Sequence, residues 1–446
     1  KTLRSLISVQ LGIILNIRTN RKYHKSTSEK NMTMPSLRLS YIYKLSVLGF
    51  SLMLSTFALA VDNEIPAWAA DYTIQNRETD YITTKKLAER GDPLAQTHLA
   101  MMYYEGEGVP KDYNKGTEWF KKAASQNYAL AQFMLGKVYE GNAYRAMGNE
   151  DSSSEEWFQK STAWFKKSAE QGYAPAQLSL GYSYKLGDGI PRNKVKAFEW
   201  IQKSAKQGYA PAQDALGSNY SEGEGIPKDE IKAFEWTQKA ADQGYIPAQN
   251  SLGSVYYYGW GGTQDFSQAA EWFKKAAEQG DSSAQNMLGY MYYSGEGVSQ
   301  DYTQAAEWFK KAAEQGESPS QEQLGIMYRK GEGVLKNYTK ALEWLEKAAA
   351  QSRIRADYNI GLMYYSGEGV SQDYTQAIKR FQKVIEKDFS KNETTGMAQY
   401  YQGIMYDKGE GVRQNKAQAK EWFRKSCDSG NNNGCNRFIV LKQAGY

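Results

Sequence analysis

Apolar residues recur along this chain in a fixed frame. Ala248, Leu252, Val255 and Tyr256 follow one another at helical spacing, and a glycine-rich stretch then interrupts them. Ala305, Trp308, Phe309, Ala312 and Ala313 form a second apolar stripe, with Lys310, Lys311 and Glu314 largely outside it. The two stripes belong to one repeating word. "MYYSGEGVSQDYTQA" at 291–305 returns unchanged at 363–377, and "EWFKKAAEQG" at 271–280 returns at 307–316. The offsets of 72 and 36 residues set a 36-residue period. One column of small residues runs Ala95, Ala131, Ala176, Ala212, Ala248, Ala284, Ser320, Ala356 and Ala398. It counts nine units, two of them lengthened by insertions after Tyr139 and after Glu386.

Each unit carries its own start and stop signals. Pro247 occupies a first helical turn, where its missing N–H costs nothing. Gly-Glu-Gly-Val, or Gly259-Trp-Gly-Gly, ends that first helix, because glycine tolerates a left-handed C-cap. Asp301, with Gln304 three residues on, opens the second helix as a capping box, and Gly316 closes it. Eight first helices hold a glycine at mid-length, from Gly136 through Gly289 and Gly361 to Gly403. Such a glycine costs about 1 kcal/mol against alanine, so its recurrence predicts a close helix–helix approach. A tryptophan column on the second helix, Trp119 through Trp308 to Trp422, predicts large buried rings. Arg380 breaks this column in the eighth unit, which predicts a looser seam there.

A single helix pair cannot bury its own apolar face, whereas stacked copies can. The motif Ala-Gln-x-x-Leu-Gly-x-x-Tyr-x-x-Gly-x-Gly-Val, followed by Ala-x-x-Trp-Phe-x-Lys-Ala-Ala, resembles the Sel-1-like repeat family, relatives of tetratricopeptide repeats. The resemblance implies an all-α, right-handed α/α superhelical solenoid of about nine 36-residue helix-pair repeats. The expected layout is repeats over 92–430, an N-terminal capping segment at 61–91 and a C-terminal capping helix at 431–446. Family members act mostly as protein-interaction adaptors. Some secreted, cysteine-rich members bind penicillin-type compounds or are weak β-lactamases. The resemblance therefore specifies a scaffold more sharply than a function.

The N-terminus changes the charge picture. Residues 1–60 hold nine Lys or Arg and one acid, Glu29, so the formal charge of +5 comes from that segment and the remainder is slightly acidic. Without a basic stripe, nucleic acid is excluded as the expected partner. Residues 34–60 read as a signal peptide. Arg38 and Lys44 precede the apolar run Leu45–Leu59, and Ala58-Leu59-Ala60 forms a small-x-small site that predicts cleavage after Ala60. Residues 1–33 read as a non-translated stretch or a leader extension. The mature chain is then expected in the periplasm or secreted, with no stable membrane span. The two cysteines, Cys427 and Cys435, replace the second-helix alanine and the first-helix glutamine on either side of a short turn. In an oxidising compartment they are expected to form a disulfide.

Catalytic signatures are sparse. The chain has two histidines, His24 and His98, and no H-E-x-x-H, G-x-S-x-G or P-loop. No metal, cofactor or catalytic residue is expected. The Gly-Glu-Gly loops bring one carboxylate each, too few for calcium, and read as turns. By analogy with tetratricopeptide repeats, the first helix of each pair lines the concave face. Its non-core positions there include Asn286, Tyr290, Tyr293, Glu322, Ile326, Arg329, Tyr358, Leu362 and Tyr365, whereas the fourth unit offers Asp214, Ser218 and Ser221. Exposed aromatic and arginine side chains suit an interface, so Tyr290, Tyr293, Arg329, Tyr358 and Tyr365 are the expected contacts for a protein or peptide partner. The function expected is an exported, non-enzymatic scaffold. The alternatives are an envelope enzyme or enzyme modulator, β-lactamase-like or peptidoglycan-related, and a secreted host-interaction factor.

Overall fold

A computed structural model describes residues 81–149, 153–260, 262, 264–387 and 392–446. The expected leader extension at 1–33, the signal peptide at 34–60 and residues 61–80 lie outside the described residues. Every regular element among the described residues is an α-helix. They divide into two compact units, one ending at Asp265 and one running Phe266–Tyr446.

The first unit contains α1 (Tyr81–Glu89), α2 (Pro93–Glu105), α3 (Tyr113–Ser125), α4 (Ala129–Gly148) and α5 (Ser154–Glu170). It continues with α6 (Ala174–Leu186), α7 (Lys194–Lys206), α8 (Ala210–Glu222), α9 (Glu230–Asp242) and α10 (Ile246–Tyr258). The second unit contains α11 (Phe266–Glu278), α12 (Ser282–Ser294), α13 (Tyr302–Glu314), α14 (Ser318–Lys330) and α15 (Tyr338–Ala350). It ends with α16 (Ile354–Ser366), α17 (Tyr374–Lys387), α18 (Glu393–Lys408), α19 (Lys416–Asp428) and α20 (Asn432–Gln443). Within each unit, consecutive helices pack in antiparallel pairs and each pair packs on the next. The insertion after Tyr139 lengthens α4 and α5 rather than forming a new element.

The local signals act as the sequence implies. Asp301 accepts from the N–H groups of Thr303 and Gln304 at 2.8 Å and 3.0 Å. Gly295 takes the left-handed conformation at the end of α12 and donates to Met291. The second glycine of the Gly-x-Gly turn has a packing role. A Cβ on Gly333 would sit 2.0 Å from the Tyr302 carbonyl oxygen, so the turn lies directly on the start of α13.

The mid-helix glycine column opens slots for the residue that follows the tryptophan position, a phenylalanine ring at Gly136, Gly289, Gly361 and Gly403 and the smaller Ile201, Thr237 and Leu345 at Gly181, Gly217 and Gly325. A Cβ on Gly361 would meet the Phe381 ring at 2.7 Å, and one on Gly403 would meet Phe423 at 2.5 Å. Phe120, Phe165, Phe273, Phe309, Phe381 and Phe423 are fully buried. The tryptophans take the flank of this core. Trp272 and Trp308 are buried and the other six are half-buried. All eight carry a lysine ammonium, three residues on, between 3.7 Å and 4.2 Å from a ring centroid.

A buried glutamine ladder ties neighbouring pairs together. Gln321 donates to the Ala313 carbonyl at 3.1 Å and accepts from Gln351 at 2.9 Å. Gln285 repeats this with Ala277 and Gln315, and Gln96 with Ala88 and Gln126. Each amide satisfies its polar atoms inside the stack, at a net gain of about 1 kcal/mol per bond.

The eighth unit packs more sparsely on its neighbours than the other pairs do, as Arg380 implies, and charges take the place of the missing ring. Arg380 stands in the tryptophan column, Asp357 in the buried glutamine position and Lys387 in the donor glutamine position. Arg380 reaches the Asp357 carboxylate at 3.0 Å and also pairs with Glu346, and Lys387 reaches the other Asp357 oxygen at 3.3 Å. Three departures from the repeat thus meet at one buried carboxylate, Asp357, and a partly exposed ion network replaces the ring and the amide pair.

At the C-terminal end, Cys427 on α19 and Cys435 on α20 form a disulfide with Cα atoms 4.4 Å apart. Leu441 of α20 packs with Phe423 and Ala419.

Candidate functional site

The first helices of the second unit, α12, α14 and α16, position all five residues nominated as partner contacts. Their burial corrects the expectation that these side chains stand exposed. Tyr358 is buried, and Tyr290, Tyr293, Arg329 and Tyr365 are half-buried. Each is engaged within the unit. The Tyr290 ring meets Phe309 edge-on with centroids 4.9 Å apart. Tyr358 packs on Phe381 and Tyr401, and its hydroxyl points to the Met397 sulfur at 3.5 Å.

Tyr293, Arg329 and Tyr365 share one repeat position and one kind of partner. Tyr293 donates to Glu332 at 2.9 Å, Arg329 to Glu368 at 2.5 Å, and Tyr365 to Glu410 at 2.7 Å. Each acceptor is the carboxylate of the following Gly-Glu-Gly turn. Lys185 and Glu224 make the same pair in the first unit at 2.7 Å. These turns are therefore acceptors in a ladder between repeats, a role their reading as simple turns missed. The acceptor feeds back on the phenols: burial and then the Glu332 hydrogen bond push the Tyr293 hydroxyl up to about 12. Burial and then the Glu410 bond raise Tyr365 as well.

Beside Tyr290 lies a charged cluster. Glu322 on α14 is 1% exposed; its Oε2 accepts from Arg353 at 3.0 Å, and Arg355 stands 3.8 Å from its Oε1. Glu317, at the N-terminus of the same helix, is buried and its Oε2 has no hydrogen-bond partner. Burial, followed by the Asp281 carboxylate, raises Glu317 to about 7, while Arg353 and the Ser282 hydroxyl pull it down. Burial and then Glu322 raise the Tyr290 hydroxyl, with Arg353 and Arg355 opposing. The repeat signal gave Glu322 only as one non-core position among many. Glu317, Arg353 and Arg355 had no signal of their own; Glu317 and Arg353 stand where most other repeats hold Tyr or Asp, and Arg355 where most hold Pro, Ser or Leu.

The nominated residues meet in two groups. Tyr290 belongs to the Glu317–Glu322–Arg353–Arg355 cluster. Tyr358 and Tyr365 converge on Tyr401, which stacks on Phe381 at 5.4 Å. Tyr401 is not among the residues nominated from the sequence; its neighbour Tyr400 packs instead on Phe423. Such a surface offers aromatic rings, paired charges and amide groups, which are recognition chemistry. Among the described residues, no group of three or more His, Cys, Asp or Glu is placed to hold a metal, and no helix is long and apolar enough to cross a membrane.

The family model described as "Sel1 repeat" matches residues 93–128, 129–163, 158–173, 174–209, 210–245, 246–281, 282–317, 318–352, 354–388 and 396–431. The short match at 158–173 falls on α5, in the unit lengthened by the insertion. A Sel1 repeat protein from Oxalobacter formigenes is 27% identical, with 87% of this chain and 99% of that one covered and a TM-score of 0.50. A protective antigen of uropathogenic Escherichia coli displaying an SLR fold is 30% identical, with 82% and 91% covered and a TM-score of 0.45. A Sel1-like repeat-containing protein of Acanthamoeba polyphaga mimivirus is 34% identical over 89 residues, which is 20% of this chain and 16% of that relative's length.

Proposed function

The chain belongs to the Sel1 repeat family, and we propose that it serves as an exported, non-enzymatic scaffold that binds a protein or peptide partner through the second unit. The contacts are Tyr290, Tyr293, Arg329 and Tyr365, with Arg353 and Arg355 beside them and with Tyr358 and Glu322 buried next to them. One observation carries the reading. Three of these positions hold long hydrogen-bonding side chains already locked by a carboxylate of the next repeat. The equivalent position in α8 is the exposed Ser221, so the fold itself does not demand them. Aromatic and arginine groups held in one rotamer lose little entropy on binding, which favours them as interface anchors.

Export rests on the signal-like segment at 34–60, and the Cys427–Cys435 disulfide supports an oxidising compartment, periplasmic or extracellular. N-terminal sequencing of the exported chain is expected to begin at Val61; an intact residue 34 in the membrane fraction would replace this with an anchored form. The scaffold reading is tested by affinity capture with the exported chain. Replacing both Tyr293 and Arg329 with Ala should reduce recovery of a specific partner by tenfold or more per folded molecule. Unchanged recovery would move the binding face elsewhere.

A further inference from the structure

One turn of the first unit carries rings where the repeat otherwise carries polar side chains. Trp260 stands where other repeats place the turn carboxylate, Glu224 one repeat before it and Glu332 and Glu368 in the second unit. Tyr258 stands where they hold Glu222, Lys330 or Ser366. The two rings flank Gly259, which ends α10 in the left-handed conformation. That reversal brings them together, stacked with centroids 4.8 Å apart and planes 21° from parallel. Tyr257 meets Tyr258 edge-on at 5.0 Å. The backbone beneath is pinned. Trp260 donates its N–H to the Val255 carbonyl at 3.1 Å, and the Gln264 side-chain amide donates to the Tyr257 carbonyl at 2.6 Å. The stacked pair nevertheless stays open to solvent, with Tyr258 45% and Trp260 47% exposed.

Elsewhere the chain covers its indoles. Nine of the ten described tryptophans carry the ammonium of the lysine three residues on, between 3.7 Å and 4.5 Å from a ring centroid. Those nine are buried or half-buried. Trp260 has Thr263 in the lysine's place in the sequence, and among the described residues no cation lies over its ring.

The face of an aromatic ring is the negative end of its quadrupole, so it attracts a cation, and indole does so best. A sugar or an apolar side chain can also stack on a ring. The chain's own habit decides between them, since it sets an ammonium on every other described indole. We propose that Trp260, backed by Tyr258, is a docking site for one lysine side chain of a bound polypeptide. Its ammonium takes the place that an internal lysine takes on the other nine rings. That a polypeptide supplies it rests on the scaffold reading above; the preference for an ammonium does not.

The probe is N-acetyl-lysine N-methylamide, titrated into the full exported chain while the indole N–H resonances are followed by NMR. Its Nε-acetylated analogue is the neutral comparator. A saturable shift is expected at Trp260 with the lysine probe and none with the analogue, and the nine lysine-covered indoles should stay in place. Trp260→Leu should weaken the probe at least about fivefold, read from the Tyr258 ring resonances. It should melt with the parent chain, because exposed substitutions cost little. Trp260→Phe should fall between the two, as the weaker quadrupole of its ring requires. Equal shifts with the neutral analogue would overturn the proposal, as would shifts spread over the lysine-covered indoles or an affinity unchanged by Trp260→Leu. Probe binding that depends on Trp260, alongside partner capture that does not, would overturn the assignment of the ammonium to the captured polypeptide.

Discussion

Glu317→Gln should stabilise the second unit, and only at the alkaline end of a defined pH window. Glu317 is 5% exposed, one of its oxygens lacks a hydrogen bond, and burial with the Asp281 charge raises its carboxyl from 4.5 to about 7. Between those two values the folded chain keeps a proton that the unfolded chain has released. The native state then binds more protons, so stability falls as pH rises through the window. Below about 4.5 both states are protonated and the group contributes nothing. The full penalty above pH 7 is on the order of 3 kcal/mol, from 1.36 kcal/mol per pH unit across the shift. Arg353 and the Ser282 hydroxyl already act in that shift and are the groups that limit it. Gln keeps the shape and cannot ionise. Denaturant melts of both proteins at pH 4.5 and pH 8 should therefore show near-equal stability at the acid end and a gain of up to about 3 kcal/mol for the variant at pH 8. Parallel profiles, or a variant that is weaker at pH 8, would show that Arg353 holds Glu317 ionised and that the reasoning about burial is wrong.

Gly361→Ala should destabilise the stack by about 1–3 kcal/mol despite alanine's better helix propensity, because its Cβ would press on the Phe381 ring at 2.7 Å; a chemical melt that shows a gain would remove the slot argument. Arg380→Ala leaves the buried Asp357 with Lys387 alone and should cost about 3–5 kcal/mol. Arg380→Trp should also destabilise alone but recover when combined with Asp357→Gln and Lys387→Gln, and a triple variant no better than the single one would break the claim of compensation. Reducing Cys427–Cys435 should cost at most about 2–3 kcal/mol, since the closed loop is short. Hydrogen exchange is expected to localise that loss to α20, and protection lost evenly across the second unit would contradict it.

Much of the fold was legible because the repeat writes its constraints in columns. The glycine at mid-helix announced a close approach, and Phe381 and Phe423 fill the space it leaves. The tryptophan column was visible too, but a column does not tell which of two adjacent rings is central. The residue after each tryptophan takes the centre, and the tryptophan takes the lysine-covered flank. Compensation was hidden for a related reason. Arg380, Asp357 and Lys387 lie far enough apart in sequence that each reads as a separate lapse, and only the folded pair brings them to one carboxylate. The candidate face was legible in position but not in environment. Tyr293, Arg329 and Tyr365 were picked as free anchors, whereas the acceptors that hold them sit in the next repeat, 39 or 45 residues on.

Site-directed photocrosslinking in the intact exported chain tests the scaffold account most directly. A photoreactive residue is placed in turn at Tyr290 and Tyr293 on α12, and at Glu307 and Lys310, exposed on the second helix α13. Irradiation in the native compartment should give one discrete higher-mass adduct from Tyr290 or Tyr293, which disappears when Arg329 and Tyr365 are replaced by Ala. Glu307 and Lys310 should give none. Adducts confined to Glu307 and Lys310, or adducts from α12 that persist unchanged without Arg329 and Tyr365, would contradict binding through this face.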